Sequence, residues 1–216
     1  MPNIVERRWL IAVVAVLALE VAIYVSMAAM PISSADAEEL VKGARQLLEG
    51  VQGVSFVYQV LGIFTNNIRI AALEFVPALG WVIFLASATT TGRVLAALAS
   101  SSQIPWQLIA LSLFASSHAW LEFIAYSIAV TQGTFLIYSW RKKRLLFESL
   151  RTLFAILAVL IMLLFAAFLE TITLSFGLSG DILGWALLLA AAYPAYRIAE
   201  AISPRRTDEA QREGQA

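Results

Sequence analysis

Long apolar runs, separated by short polar segments, dominate the hydrophobic pattern of this chain. Each run is close to the roughly 20 residues that a helix needs to cross the hydrocarbon core of a bilayer. Strands of a membrane barrel would instead alternate apolar and polar positions over about ten residues. The pattern predicts an all-α polytopic transmembrane bundle of six spans, over 9–30, 68–88, 94–115, 118–140, 150–171 and 182–202.

Two of these segments leave alternatives open. A basic start, "ERR", precedes the first run, and "ADA" at 35–37 is typical of a signal-peptide cleavage site. That run exceeds the roughly 7–15 residues of a signal-peptide core, so we interpret it as a retained span. In the third segment "SSSQIP" interrupts the apolar run, so 94–117 forms one broken span or a re-entrant element, and we favour the broken span.

Residues 32–53 form a different kind of segment, polar apart from one apolar stripe. Ser33 or Ser34 can cap a helix there, and acidic residues follow in its first turns, where the helix dipole favours them. The stripe consists of Leu40, Ala44, Leu47, Leu48 and Val51, at helical spacing. We predict an amphipathic helix that lies on the membrane or caps the bundle, with docking of a partner as the alternative.

Positive charge predicts the orientation, because short loops rich in Lys and Arg stay in the cytoplasm. The strongest cue is "RKKR" at 141–144. With 141–144 inside, six spans place both termini and Arg93 in the cytoplasm and the 32–53 helix outside. Residues 1–203 then form the transmembrane domain, and the polar residues 204–216 form a disordered cytoplasmic tail.

Composition narrows the class of protein further. Hydrophobic residues make up 60% of the 216 residues and charged residues 14%, against roughly 25% charged in soluble domains. The lipid bilayer of the plasma membrane is therefore the expected environment. The net charge of zero gives no reason to expect nucleic acid. Without cysteine, and with one histidine, we expect no thiolate nucleophile, no metal site and no cofactor.

Ionisable groups inside spans are costly, by roughly 2.5–3.5 kcal/mol each at a helix centre, and normally face protein or water. The predicted orientation brings polar residues of three non-consecutive spans to the outer part of the membrane, whereas Glu20 lies near its middle. The candidate polar cluster consists of Asn66, Asn67, Arg69, Glu74, His118, Glu122 and Glu170.

His118 and Glu122 are four residues apart and share one helix face. Such groups can join helices, line a polar cavity, conduct protons or act as a catalytic pair. The catalytic alternative lacks the second histidine of an HExxH zinc site and a GxSxG nucleophile. We therefore predict no catalytic residues.

Three segments in order resemble the stage II sporulation protein M family of integral membrane proteins, over about residues 63–175. They are "IFTNNIRIAALEFVPALGWVIFLASATTTGRVLAA", "SSHAWLEFIAYSIAVTQGTFLIY" and "AAFLETITLS". The second is similar to the family's most distinctive segment, with His118, Glu122 and Gly133 in matching positions, and Glu170 matches the glutamate of its late span. Ser117 and Ala119 stand where the family usually has proline and glycine, as in a divergent, archaeal-type member.

The resemblance implies a non-catalytic membrane protein, since the namesake of the family is a scaffold for cell-wall hydrolases. We predict a scaffold or subunit of a membrane complex, whose partners are other membrane or cell-envelope proteins or further copies of itself. One alternative is a transporter or channel subunit with a polar site in the outer half of the membrane. The other is an intramembrane enzyme using His118 and Glu122.

Overall fold

The computed structural model describes residues 7–51, 53–142 and 145–202, and these fold entirely as helices and short connections. The elements are α1 (Arg7–Ala29), α2 (Ser34–Val51), α3 (Phe56–Glu74), α4 (Leu79–Ser102), α5 (Trp106–Ala115), α6 (Ser117–Arg141), α7 (Leu145–Phe176) and α8 (Leu178–Ile202). The all-α prediction is confirmed for this part of the chain. The predicted disordered tail, 204–216, lies outside the described residues.

The surface of the bundle is apolar. Helices α1, α4, α6 and α7 are long and apolar enough to cross a membrane. Large hydrophobic side chains point outward, for example Leu146, Ile161 and Leu189, which are 82%, 69% and 66% exposed. A soluble protein rarely exposes contiguous apolar surface on this scale. The molecule is therefore a helical membrane protein.

Helix α6 lies at the centre and is surrounded by α1, α3, α4, α7 and α8. The indole of Trp9 donates to Oε1 of Gln132 at 2.9 Å, and the rings of Tyr24 and Phe123 lie 5.0 Å apart, so α1 runs antiparallel to α6. Trp81 donates to Thr134 at 2.9 Å, which gives α4 the same direction as α1.

The direction of α3 also follows from its contacts with α6. Helix α3 runs parallel to α6, because Asn67 meets Glu122 and the end of α3 meets Gly133. The bundle thus has two ends. We call them the α2 end, where α1 finishes and α6 begins, and the Arg141 end, where α6 finishes.

The predicted spans 68–88 and 94–115 are wrong in register. Helix α3 stops at Glu74, and Pro77 and Ala78 (φ 66°) form a corner before α4 begins. The predicted spans leave 89–93 as the connection between them, but helix α4 continues through these residues. The break within 94–115 is real, because Gln103 (φ 57°) and Pro105 end α4, but it leaves α5 as a separate helix of 10 residues.

The predicted orientation puts Arg93 and Arg141 on one side of the membrane, but the structure places them at opposite ends of the bundle. Nη1 of Arg93 donates to the main-chain oxygens of Met30 at 3.2 Å and Pro31 at 3.1 Å, which places it at the α2 end. The reason is that α4 has no break at 89–93, so the continuous helix carries Arg93 away from the Arg141 end. Arg93 and Arg141 therefore lie at opposite ends of the bundle.

Close helix contacts depend on small residues at two places. A Cβ on Gly92 would lie 2.5 Å from Cβ of Met27, so glycine there lets α4 approach α1 closely. At the α3–α4 corner, a Cβ on Gly80 would overlap the main-chain oxygen of Glu74, and one on Gly133 would lie 2.9 Å from the oxygen of Phe75.

Two local predictions are confirmed. Ser33 caps α2, since its hydroxyl accepts a hydrogen bond from the amide of Asp36 at 3.2 Å. Helix α2 covers the end of the bundle, where Ala37 and Val41 pack against Ala97 of α4. The described part of its apolar stripe agrees with this contact, since Leu40 packs beside the same cluster.

Gly92→Ala should destabilise the protein by about 1–3 kcal/mol, the usual cost of overpacking. The matched control is Gly43→Ala on α2, where a Cβ would meet nothing within 4 Å and alanine favours the helix. Thermal unfolding in detergent measures both. A melting temperature of Gly92→Ala equal to or above that of Gly43→Ala would contradict the close α1–α4 contact.

Candidate functional site

A pocket of about 750 Å³ opens at the α2 end, between α2, α3, α6 and α7. Its wall is partly apolar, with Leu61, Ile63 and Leu174. Its polar wall consists of Gln46, Tyr58, Thr65, Asn66, Asn67, Arg69, Glu122 and Glu170. The structure therefore brings five residues of the predicted polar cluster together around one concave surface. Such a surface, apolar with a few convergent polar groups, is typical of a small-molecule site.

The two asparagines hold one carboxylate in place. Nδ2 of Asn67 donates to Oε1 of Glu122 at 2.6 Å, and Nδ2 of Asn66 donates to Oδ1 of Asn67 at 3.2 Å. Asn67 is 7% exposed, so its amide is fixed between α3 and α6. These two hydrogen bonds orient the carboxyl group of Glu122 toward the pocket.

Like charges meet in the pocket. Glu170 of α7 is close enough to Glu122 for the two carboxyl groups to interact electrostatically. Two carboxylates sharing a partly buried site repel each other unless a proton or a cation joins them. Within the described residues, no salt bridge joins Arg69 to either carboxylate. The pocket thus presents two carboxyl groups and a guanidinium whose charges are not already paired with one another.

His118 does not belong to this pocket. Although it shares α6 with Glu122, no hydrogen bond joins the two side chains in the described structure, and the charge that acts on its imidazole is Asp181 of α8. Its Nδ1 is buried and has no partner among the described residues. The structure therefore separates His118 from the rest of the predicted cluster.

Glu74 also lies away from the pocket, deeper in the bundle. It is fully buried and interacts electrostatically with Glu20 of α1. Glu20 in turn accepts hydrogen bonds from the hydroxyls of Tyr24 at 2.8 Å and Ser127 at 3.3 Å. Sequence reasoning had placed Glu20 at mid-membrane and left it outside the cluster. The four-residue spacing of Glu20 and Tyr24 was the available signal.

A second polar network closes the Arg141 end. Gln132 donates to Glu148 at 2.8 Å, and Ser139 donates to the other carboxylate oxygen of Glu148 at 3.0 Å. Arg151 forms a buried salt bridge with Glu148 at 3.3 Å. The sequence analysis missed this network because α7 begins at Leu145, about one turn before the predicted span. The spacing of Glu148 and Arg151 on one helix face could have revealed it.

Asn67→Ala should destabilise the protein by about 1–3 kcal/mol, because it leaves the carboxyl group of Glu122 without its hydrogen-bond partner. Asn66→Ala, which removes only the outer amide, should cost less. Thermal unfolding of Asn67→Ala, Glu122→Met and the double variant forms a mutant cycle. Strictly additive losses would mean that Asn67 and Glu122 are not coupled.

A comparison of this chain with protein-family models, with curated proteins and with solved structures finds no match. The resemblance to the stage II sporulation protein M family therefore stays a prediction that depends on the three quoted motifs.

Proposed function

We propose that the chain is a transporter or channel subunit of the plasma membrane, which takes up a small polar solute in the outer half of the bilayer. The observation that carries this proposal is the pocket of about 750 Å³ with Glu122, Glu170 and Arg69 in its wall. Charged groups inside a membrane are costly, and they are generally found on substrate or ion pathways.

The proposed orientation has six spans, α1, α3, α4, α6, α7 and α8, with both termini in the cytoplasm and α2 outside. Arg7, Arg8, Arg141 and Lys142 all lie at the Arg141 end, which supports a cytoplasmic position for that end. Helix α5 is too short to span and fits a re-entrant element at the α2 end. This orientation places Arg93 of α4 outside, together with Lys42 and Arg45 of α2.

The chemistry of the pocket suits a solute that carries a positively charged amine. Glu122 and Glu170 supply two carboxyl groups, and the amine of a solute would relieve their mutual repulsion. Arg69 stands in the same wall and can bind a carboxylate on the solute. A zwitterion such as an amino acid satisfies both ends. The interrupted helices support transport, since broken helices often form substrate sites in transporters.

A scaffold role is the second candidate, and it rests on a different surface. Helix α2 presents exposed Glu38, Lys42, Arg45 and Glu49 beside a cleft of about 630 Å³ that Ser100 and Ser101 complete. Alternating charges on an outer helix fit a cell-envelope partner, and the family resemblance implies the same role. The enzyme alternative has no such support, because His118 and Glu122 are not joined. That the chain is not an enzyme stays a prediction.

A zwitterionic ligand should raise the melting temperature of the detergent-solubilised protein, because binding to the folded state stabilises it by about 2.7 kcal/mol at a hundredfold excess over Kd. We expect at least one member of a panel of amino acids and monoamines to do so, and to enter proteoliposomes. The double variant Glu122→Gln/Glu170→Gln should lose both effects.

Glu39→Gln is the matched control, since it removes an exposed carboxylate at the α2 end without touching the pocket. A response of Glu122→Gln/Glu170→Gln equal to that of Glu39→Gln would contradict the proposal. The scaffold role would be favoured if no member of the panel raised the melting temperature or entered proteoliposomes, and if a cell-envelope protein co-purified through α2.

A further inference from the structure

Two carboxyl groups meet in the middle of the bundle, away from the pocket. Glu20 lies on α1 and Glu74 on α3, both are at most 1% exposed, and they interact electrostatically. Glu20 is held by the hydroxyls of Tyr24 and Ser127. Two ionised carboxylates facing each other in an apolar environment are strongly unfavourable unless a proton or a cation joins them.

Glu74 has a free hydrogen-bonding capacity that the fold does not use. Neither of its carboxyl oxygens has a hydrogen-bond partner among the described residues. Ser87 faces it from α4, but the Ser87 hydroxyl donates to the main-chain oxygen of Phe84 at 3.0 Å. Because Glu74 is the last residue of α3, it also lies at the corner that separates α3 from α4. Such helix breaks are where membrane transporters bind coupling ions.

Tyr126 packs in one buried cluster with Ala71 of α3, which lies about one helical turn from both Asn67 of the pocket and Glu74. Its buried phenol interacts electrostatically with Glu122 and Glu170 on one side and with Glu20 and Glu74 on the other. It also follows Glu122 by four residues on α6, so both side chains lie on one helix face. A phenol both donates and accepts a hydrogen bond. It can therefore accept one proton and release another with no net change in its own protonation state.

We infer that Glu20 and Glu74 form a proton-binding site in the membrane interior, which exchanges protons with the outer pocket through Tyr126. This inference rests on the proposed function and names H⁺ as the coupling ion of that transport. In the transfer, the O–H bond of protonated Glu122 breaks and its proton moves to the Tyr126 oxygen. The phenol proton leaves at the same time and forms an O–H bond with the carboxylate of Glu20 or Glu74.

The groups that surround the site favour a proton over a metal ion. The titratable side chains that act on it are Tyr24 from α1 and Tyr126 and Glu122 from α6, while α4 contributes the hydroxyl of Ser87. Glu170 from α7 acts on Glu122 and Tyr126. The described residues contain no group of three or more His, Cys, Asp or Glu that could hold a metal ion. Transport that depends on Na⁺ is therefore a separate outcome of the test.

The first test measures proton entry into proteoliposomes that enclose a pH-sensitive dye, under an inward-negative potassium diffusion potential. The wild-type protein should acidify the lumen in the presence of a solute that it transports. Tyr126→Phe and Glu74→Gln should each lower the rate by about 100-fold, as expected when one positioned proton-transfer group is lost. The matched controls are Tyr138→Phe, at an exposed tyrosine of the Arg141 end, and Glu39→Gln.

The second test detects the proton directly and does not depend on transport. Infrared difference spectra of the purified protein should show the C=O band of a protonated buried carboxyl group, and Glu74→Gln and Glu20→Gln should each remove intensity from it. Size-exclusion chromatography and melting temperature confirm that the variants are folded. Tyr126→Phe should keep the band and the solute-induced rise in melting temperature, because it leaves the carboxyl groups and the pocket in place.

The outcomes separate the inference from the proposed function. Two results would overturn the proton site and leave the transporter proposal standing: solute uptake without acidification, or solute uptake that stops when choline replaces Na⁺. A spectrum identical in wild type and Glu74→Gln would overturn it as well. A protonated band that depends on Glu74, in a protein that binds and transports no solute, would support the proton site and remove the transporter proposal.

Discussion

The central position of α6 is the constraint on which the rest of this molecule depends. A helix surrounded by protein within a membrane must find partners for its polar side chains among its neighbours, because lipid offers none. Helix α6 buries Ser117, Ser127, Thr131, Gln132 and Ser139. Gln132 reaches α1 and α7, and Ser127 reaches α1. The helices packed around α6 thus cover its polar side chains, which would find no hydrogen-bond partners in lipid.

The sequence predicted what depends on local composition and missed what depends on distant contacts. Helix α6 and the cap at Ser33 follow from apolar length and capping chemistry, and both agree with the structure. The register of α3 and α4 does not, because the predicted span begins only after Asn67. In the fold Asn67 faces α6, as its 2.6 Å hydrogen bond to Glu122 shows, so a helix can carry it within the bundle.

The candidate site shows the same division. Placing polar residues by their depth in the membrane was enough to assemble Asn67, Glu122 and Glu170 around one pocket, although they come from three helices. Depth alone could not say which way a side chain points. His118 therefore stayed in the predicted cluster although it faces Asp181, and Tyr126 was left out although four carboxyl groups act on it.

The corner after Glu74 has a mechanical consequence. Asn67, in the pocket wall, and Glu74 lie on the same helix, α3. The end of α3 packs so closely against Gly80 and Gly133 that a side chain at either glycine would not fit. Because one helix carries both residues, a displacement of the pocket wall at Asn67 would also move Glu74 relative to α1.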